Sequence, residues 1–212
     1  MAVLPIRLAN DPILRQRAKK VHNIDASIQR LIDDMIETMR DAPGVGLAAN
    51  QVGVALRVIV IEVPDVTEEE DDETPDDNGT DGDDDETPED NGTDGDDEAA
   101  PVRPEGWTLY TVINPQIVKR SGERTLDEGC LSLPGYLGPT PRSVKVTVKG
   151  QDRDGKQIRI KAENNLLAEV LEHEIDHING SLYIDRLESP DQLVRLDDEP
   201  DDQASKEEAE AR

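Results

Sequence analysis

Apolar positions recur along this chain at two different periods. Ile28, Leu31, Ile32, Met35 and Met39 follow helical spacing and predict an amphipathic helix over residues 25–41, ended by Pro43-Gly44. Residues 57–63 are rich in Val and Ile and read as a strand, as does the apolar run at 108–113. Over 143–149, Val144, Val146 and Val148 alternate with polar residues, and Ile158 and Ile160 do so over 157–161. With Asp152-Arg153-Asp154-Gly155 between them, these segments predict a hairpin. Helical spacing returns at Leu166, Leu167, Val170, Leu171, His173, Glu174, His177 and Ile178, with Asn164 or Asn165 as cap and Gly180 as stop. Strands between two helices predict an α+β fold, with small antiparallel or mixed sheets packed around the second helix.

Composition changes this picture in one place. The 34% hydrophobic content of the 212 residues is low, but the deficit is local. Residues 65–98 hold 20 Asp and Glu and no Lys or Arg, so without them the net charge falls from -26 to -6. The segment is a duplication: Asp71 to Gly82 is nearly repeated 13 positions later from Asp84 to Gly95. Such a sequence has too little apolar surface to bury a core. A calcium loop with its sixth-position glycine at Gly82 or Gly95 would have Gly79 or Gly92 third and Pro88 or Pro101 twelfth, where acidic ligands are needed. The expectation is a solvated, disordered insertion at 65–104 within one catalytic domain at 1–187. An acidic tail follows at 188–212, frayed or marginally helical from 197.

Two Asn-Gly-Thr acceptor patterns, at Asn78 and Asn91, are expected to be unused, because the N-terminus has no apolar signal region. No apolar run reaches membrane-spanning length, and the single cysteine excludes an intramolecular disulfide framework. A soluble protein of a reducing cytoplasm is expected. With no evident basic patch and a strongly negative net charge, direct reading of nucleic acid is not expected.

Candidate chemistry concentrates in His173-Glu174-Ile175-Asp176-His177, an H-E-x-x-H element on the second helix. Residues four apart share a helical face, so both imidazoles can close on one cation while Glu174 stands beside it to handle the protons of a bound water. Two histidines leave a tetrahedral site incomplete. Downstream stand Asp185, Glu188 and Asp191; upstream stands Cys130, in Glu128-Gly129-Cys130-Leu131-Ser132. Taken alone, Cys130 reads as a small buried hydrophobe; a nucleophilic cysteine would need a partner histidine from the pair already explained, and a thiolate beside the two imidazoles would leave one position open for water. His22 has no partner motif and reads as structural. The segment Gly44-Val45-Gly46-Leu47-Ala48-Ala49-Asn50-Gln51 matches the loose G-x-G-x-x-A dinucleotide pattern, but it follows a helix rather than a strand. A close backbone lining a pocket suits it better.

Together the segments at 44–51, 128–132 and 173–177 resemble, in order and spacing, the three signature motifs of the peptide deformylase family. The resemblance runs from about residue 4 to 187. It implies Cys130, His173 and His177 as metal ligands, Glu174 as general acid and base, and Gln51 with the backbone N–H of Leu131 as oxyanion donors. Val45, Gly46, Gly129 and Leu131 would flank the substrate, beside an apolar pocket for a methionine side chain. The implied reaction is removal of the formyl group from N-formylmethionyl nascent polypeptides with release of formate, and transient contact with the ribosome is compatible with it. Ferrous iron is the implied metal, with zinc or nickel able to occupy the site. Glu172, where the family usually has Gln, and the acidic tail in place of a long C-terminal helix are departures. The competing readings are a metalloprotease with a downstream ligand such as Glu188, and a non-catalytic metal-binding module.

Overall fold

The computed structural model describes residues 2–65 and 106–196. The insertion expected at 65–104, apart from Asp65, and the tail from 197 onward lie outside the described residues.

Helix α1 (Ala26–Asp41) starts where the Asp25 carboxylate accepts hydrogen bonds from the N–H groups of Ser27 and Ile28, at 2.8 and 3.3 Å. This is the N-cap geometry that satisfies otherwise orphaned helix donors. Strand β1 (Gly46–Ala48) and a 3-10 turn (Ala49–Val52) follow, then β2 (Val58–Pro64). After the undescribed segment come β3 (Trp107–Ser121), β4 (Arg124–Cys130), β5 (Leu133–Arg142), β6 (Lys145–Gln151) and β7 (Gln157–Glu163). Helix α2 (Leu166–Asn179) is capped by the Asn165 side chain, which accepts from Ala168 N at 3.0 Å. It stops at Gly180, whose φ of 85° is left-handed. A side chain there would also meet the Arg15 carbonyl oxygen at 2.7 Å, so the glycine is required twice over.

Five strands form one antiparallel sheet in the order β1-β2-β3-β6-β7. Its centre is covered on both faces. Ile59, Ile61 and Val63 of β2 pack in the cluster that holds Leu171, Ile175 and Ile178 of α2, while Val58 and Val60 join Ile32, Met35 and Met39 of α1. Burial on both faces explains why β2 reads as an unbroken apolar run, whereas β6, with Val146 and Val148 buried, alternates. The expected α+β class and the position of the second helix at the centre agree with this architecture.

A second sheet, β4-β5-β8, is also antiparallel, with β8 (Val194–Arg195) pairing Tyr136 and Leu137 of β5. No sequence pattern marks β4 and β5 as strands, and residues 188–196 were expected to belong to the tail. Backbone pairing along the β5 edge holds that stretch, after a short 3-10 turn (Pro190–Gln192).

Buried charge joins the second sheet to α2. The Arg142 guanidinium, 1% exposed, donates to both Glu128 oxygens at 2.5 and 2.7 Å and to Asp176 Oδ2 at 2.6 Å. Arg186 completes the cluster, donating to both Asp176 oxygens at 2.7 and 2.8 Å. Burial alone would raise both carboxyl pKa values, but the bonds from Arg142, with those from Arg186 to Asp176 and His173 to Glu128, outweigh it and hold both below the usual range.

Groups depressed in this way stabilise the fold fully above their unfolded pKa values and stop doing so as pH falls through the folded ones. Chemical denaturation at successive pH values should therefore show stability lost on the acid side of the ordinary carboxylate range. Arg142→Met, which strands two buried carboxylates, should cost about 3–5 kcal/mol at neutral pH.

Candidate metal centre and active site

Glu128 and Cys130 lie two apart on β4 and meet the two histidines of α2. Cys130 Sγ is 3.2 Å from His177 Nε2, which is 3.2 Å from His173 Nε2. The donor atoms of Cys130, His173 and His177 all lie within 4.8 Å of one another. Tetrahedral ligation with bonds of about 2.1 Å to nitrogen and 2.3 Å to sulfur would set donors about 3.4–3.6 Å apart, close to these separations. The donor chemistry, one thiol and two imidazoles, therefore fits a divalent transition metal and leaves a fourth position. The downstream carboxylates contribute nothing to this group: Asp185 pairs with Arg15, and Glu188 is exposed. His22 is likewise exposed and apart from it.

Surrounding bonds aim the donors. His173 Nδ1 donates to Glu128 Oε2 at 3.0 Å, so that Nε2, once deprotonated, presents its lone pair to a cation beside His177. The Tyr183 ring stacks on His173 with centroids 6.2 Å apart. Asn50 Nδ2 donates to the His177 carbonyl oxygen, fixing the last turn of α2 against the 49–52 turn. Burial opposes a proton on His173, but bonds to Cys130 and Glu128 outweigh it and hold its pKa well above the ordinary value; burial, then the His173 charge, hold His177 well below.

Glu174 faces this group from one turn within α2. It is 3% exposed, and burial pushes its carboxyl up to about 7. Its Oε2 is buried without a protein hydrogen-bond partner, a state that a purely structural carboxylate rarely keeps. Gln51, 1% exposed, has its amide orientation set by Ala48 N–H, which donates to Oε1 at 2.8 Å. Its Nε2 thus points toward Ser132 Oγ at 3.2 Å and Cys130 Sγ at 3.7 Å.

These groups open on a cavity of about 340 Å³. Val45, Gly46, Gln51, Gly129, Cys130, Leu131, His173 and Glu174 all line it; His177 stands behind them, 1% exposed. Further wall comes from Leu133, Tyr136 and Leu137 of β5 and from Leu166, Glu169 and Val170 of α2; the sequence marked Leu166 and Val170 only as positions of helical spacing and the others not at all. Gly129 sits at a register shift between the pairs Glu128–Gly138 and Cys130–Leu133, a bulge of the kind that re-aims side chains beside active sites.

The polypeptide deformylase family model matches residues 3–193. The chain belongs to that family. It is 44% identical to a peptide deformylase of Dehalococcoides mccartyi strain CBDB1 over 207 residues, 98% of either chain. Among solved structures, a peptide deformylase from Legionella pneumophila superposes with a TM-score of 0.67 at 36% identity, covering 100% of both chains. One from Synechococcus elongatus in complex with actinonin gives 0.66 at 31% identity, covering 91% of this chain and 82% of that one. The chain is therefore a deformylase-type hydrolase, and its Cys/His/His group places it among metal-dependent members.

Family membership does not account for how closely Gly46 meets Glu174, but the geometry does. A side-chain carbon at position 46 would overlap the Glu174 carboxylate and come within 2.6 Å of Val170 Cγ1. Gly46→Ala should displace Glu174 and lower formate release about 10²-fold, with the fold retained by circular dichroism.

Proposed function

We propose that this protein removes the formyl group from N-formylmethionyl nascent polypeptides, with Cys130, His173 and His177 holding a divalent metal and Glu174 moving the protons. The convergence of those three donors beside the unpartnered Glu174 Oε2, at the floor of a cavity, carries the reading. A single catalytic domain interrupted at 65–104 belongs to the same reading, but it extends beyond the expected limit of 187, because Leu196 lines the cavity.

A metal at this site supplies Lewis-acid chemistry, acidifying water and polarising a carbonyl oxygen. An N/S donor set accepts several first-row ions; ferrous iron is the proposed ion, with zinc or nickel able to replace it. The apolar walls formed by Val45, Leu131 and Leu137 exclude water and take the methionine side chain, while Gly46 and Gly129 let the substrate backbone approach. Glu174 Oε2 accepts the proton of the attacking water and returns it to the departing amine nitrogen. Gln51 Nε2 and the Leu131 N–H donate to the oxygen on which negative charge develops, and so bind the transition state more strongly than the ground state. The products are formate and a peptide with a free amino terminus. Transient contact with the ribosome and a cytoplasmic site of action belong to the same proposal. Among the described residues no helix is long and apolar enough to cross a membrane.

Formate release from a formyl-Met peptide, followed anaerobically, tests these assignments. Glu174→Ala should reduce turnover by about 10²- to 10⁴-fold and Gln51→Ala by about 10²- to 10³-fold, each with metal content unchanged. A metalloprotease using Glu188 would instead keep its activity in Cys130→Ser, whereas here that variant should lose bound metal. Removal of metal by a chelator should abolish turnover, and ferrous iron should restore it.

A further inference from the structure

A second cleft, of about 820 Å³, shares no lining residue with the active-site cavity. Five cationic side chains line it: Arg17 and Lys20 from the N-terminal segment, Arg57 at the start of β2, Arg120 on β3 and Lys149 on β6. No Asp or Glu does. Among the described residues only Arg120 has a carboxylate partner, Glu172 at 2.6 Å. Arg57 is half-buried and donates only to neutral acceptors, Asn179 Oδ1 at 2.9 Å and the Pro115 carbonyl at 2.8 Å. Burial, followed by the neighbouring charge of Arg17, depresses its pKa, so two guanidinium groups stand close enough to repel each other. In a chain of net charge -26, such a group of cations lacks the compensation that is abundant elsewhere.

The cleft is built rigidly. Asn114, at a φ of 54°, clasps Val21 by accepting from its N–H at 2.9 Å and donating to its carbonyl at 2.8 Å, which pins the segment carrying Arg17 and Lys20 to β3. Two register shifts between β3 and β6 and the close approach of Gly150 to Ile113 shape the floor. These cations lie between positions 17 and 149, which is why no basic patch is visible along the sequence.

We propose that this cleft binds the phosphate backbone of an RNA strand. Its cations come from the N-terminal segment, the entry to β2, β3 and β6, a spread over four parts of the fold that suits a row of phosphates more than a single anion. No aromatic side chain lines it, so it has nothing on which to stack bases, and binding is sequence-independent. Side-chain amides of Gln116, Gln151 and Gln157 supply donors and acceptors for ribose hydroxyls. Beyond the Debye length of about 8 Å at physiological salt, the chain's negative charges are screened from the bound strand.

Fluorescence anisotropy of a labelled mixed-sequence single-stranded RNA, titrated with the full-length protein at several salt concentrations, tests the proposal. The triple variant Arg17→Glu, Lys20→Glu, Lys149→Glu should bind at least tenfold more weakly, with a log K against log [salt] slope shallower by about 2. Its formate release from a short peptide should match wild type, showing that it folds. The variant Arg30→Glu, Lys156→Glu, which reverses exposed charges outside the cleft, should keep most of the affinity. Absence of RNA binding, equal binding by wild type and the triple variant, or an equal loss in the control variant would overturn the proposal. So would saturable binding of inorganic tripolyphosphate, lost in the triple variant, without any RNA binding.

Discussion

The site depends on one buried guanidinium. Arg142 holds Glu128 on one side and Asp176 on the other, so it ties the strand that ends in Cys130 to the helix that carries His173 and His177. Cys130 and His177 on these elements are 47 residues apart in sequence, and the elements belong to different layers. Hydrophobic packing can press layers together, but it is non-directional and leaves sliding and rotation cheap. A bidentate, desolvated ion pair fixes both, because a small shift would strand charge in a medium that cannot hydrate it. Glu128 then passes the constraint on through its bond to His173 Nδ1. The position of the His173 ring, a proposed metal ligand, is thus set by a chain of charged groups reaching back to the second sheet.

Much of this was legible in the sequence. Helix α2, its Asn165 cap and its Gly180 stop follow from 3.6-residue periodicity and capping chemistry, which are local and therefore readable. The same holds for α1 and for the β6-β7 hairpin. Strands β4 and β5 were invisible for a physical reason: Gly129, Gly135, Gly138, Pro134, Pro139 and Pro141 fall within or beside them and erase any alternation. Their pairing rests on Arg142 and on edge contacts with β8, which no local pattern records. Strand β1 is three residues long and lies in a stretch of small residues, so it reads as a loop.

The candidate site divides along the same line. Groups that act at one place with a fixed chemical type, such as Cys130, His173, Glu174, His177 and Gln51, announce themselves through motif spacing. Groups that orient them do not. Arg142 and Tyr183 act through tertiary contacts outside any motif, whereas Asp176, Asn50 and Ala48 lay inside motifs but with partners that no local pattern names. The cavity walls from β5 and the first turn of α2 were missed because leucine and valine there look like any other core residue.

The backbone bond from Asp65 N–H to the Gly106 carbonyl at 2.7 Å lies just beyond the last β2-β3 pair, Pro64 with Trp107, so the chain leaves the domain and returns at adjacent points. Loop-closure entropy grows only logarithmically with length, each doubling costing about 0.6 kcal/mol. A lineage can therefore lengthen, shorten or rewrite what lies between these two residues while the catalytic frame stays under separate selection. The closed end of the hairpin is an evolutionary port, and it offers protein engineers a natural place to insert a domain or open new termini.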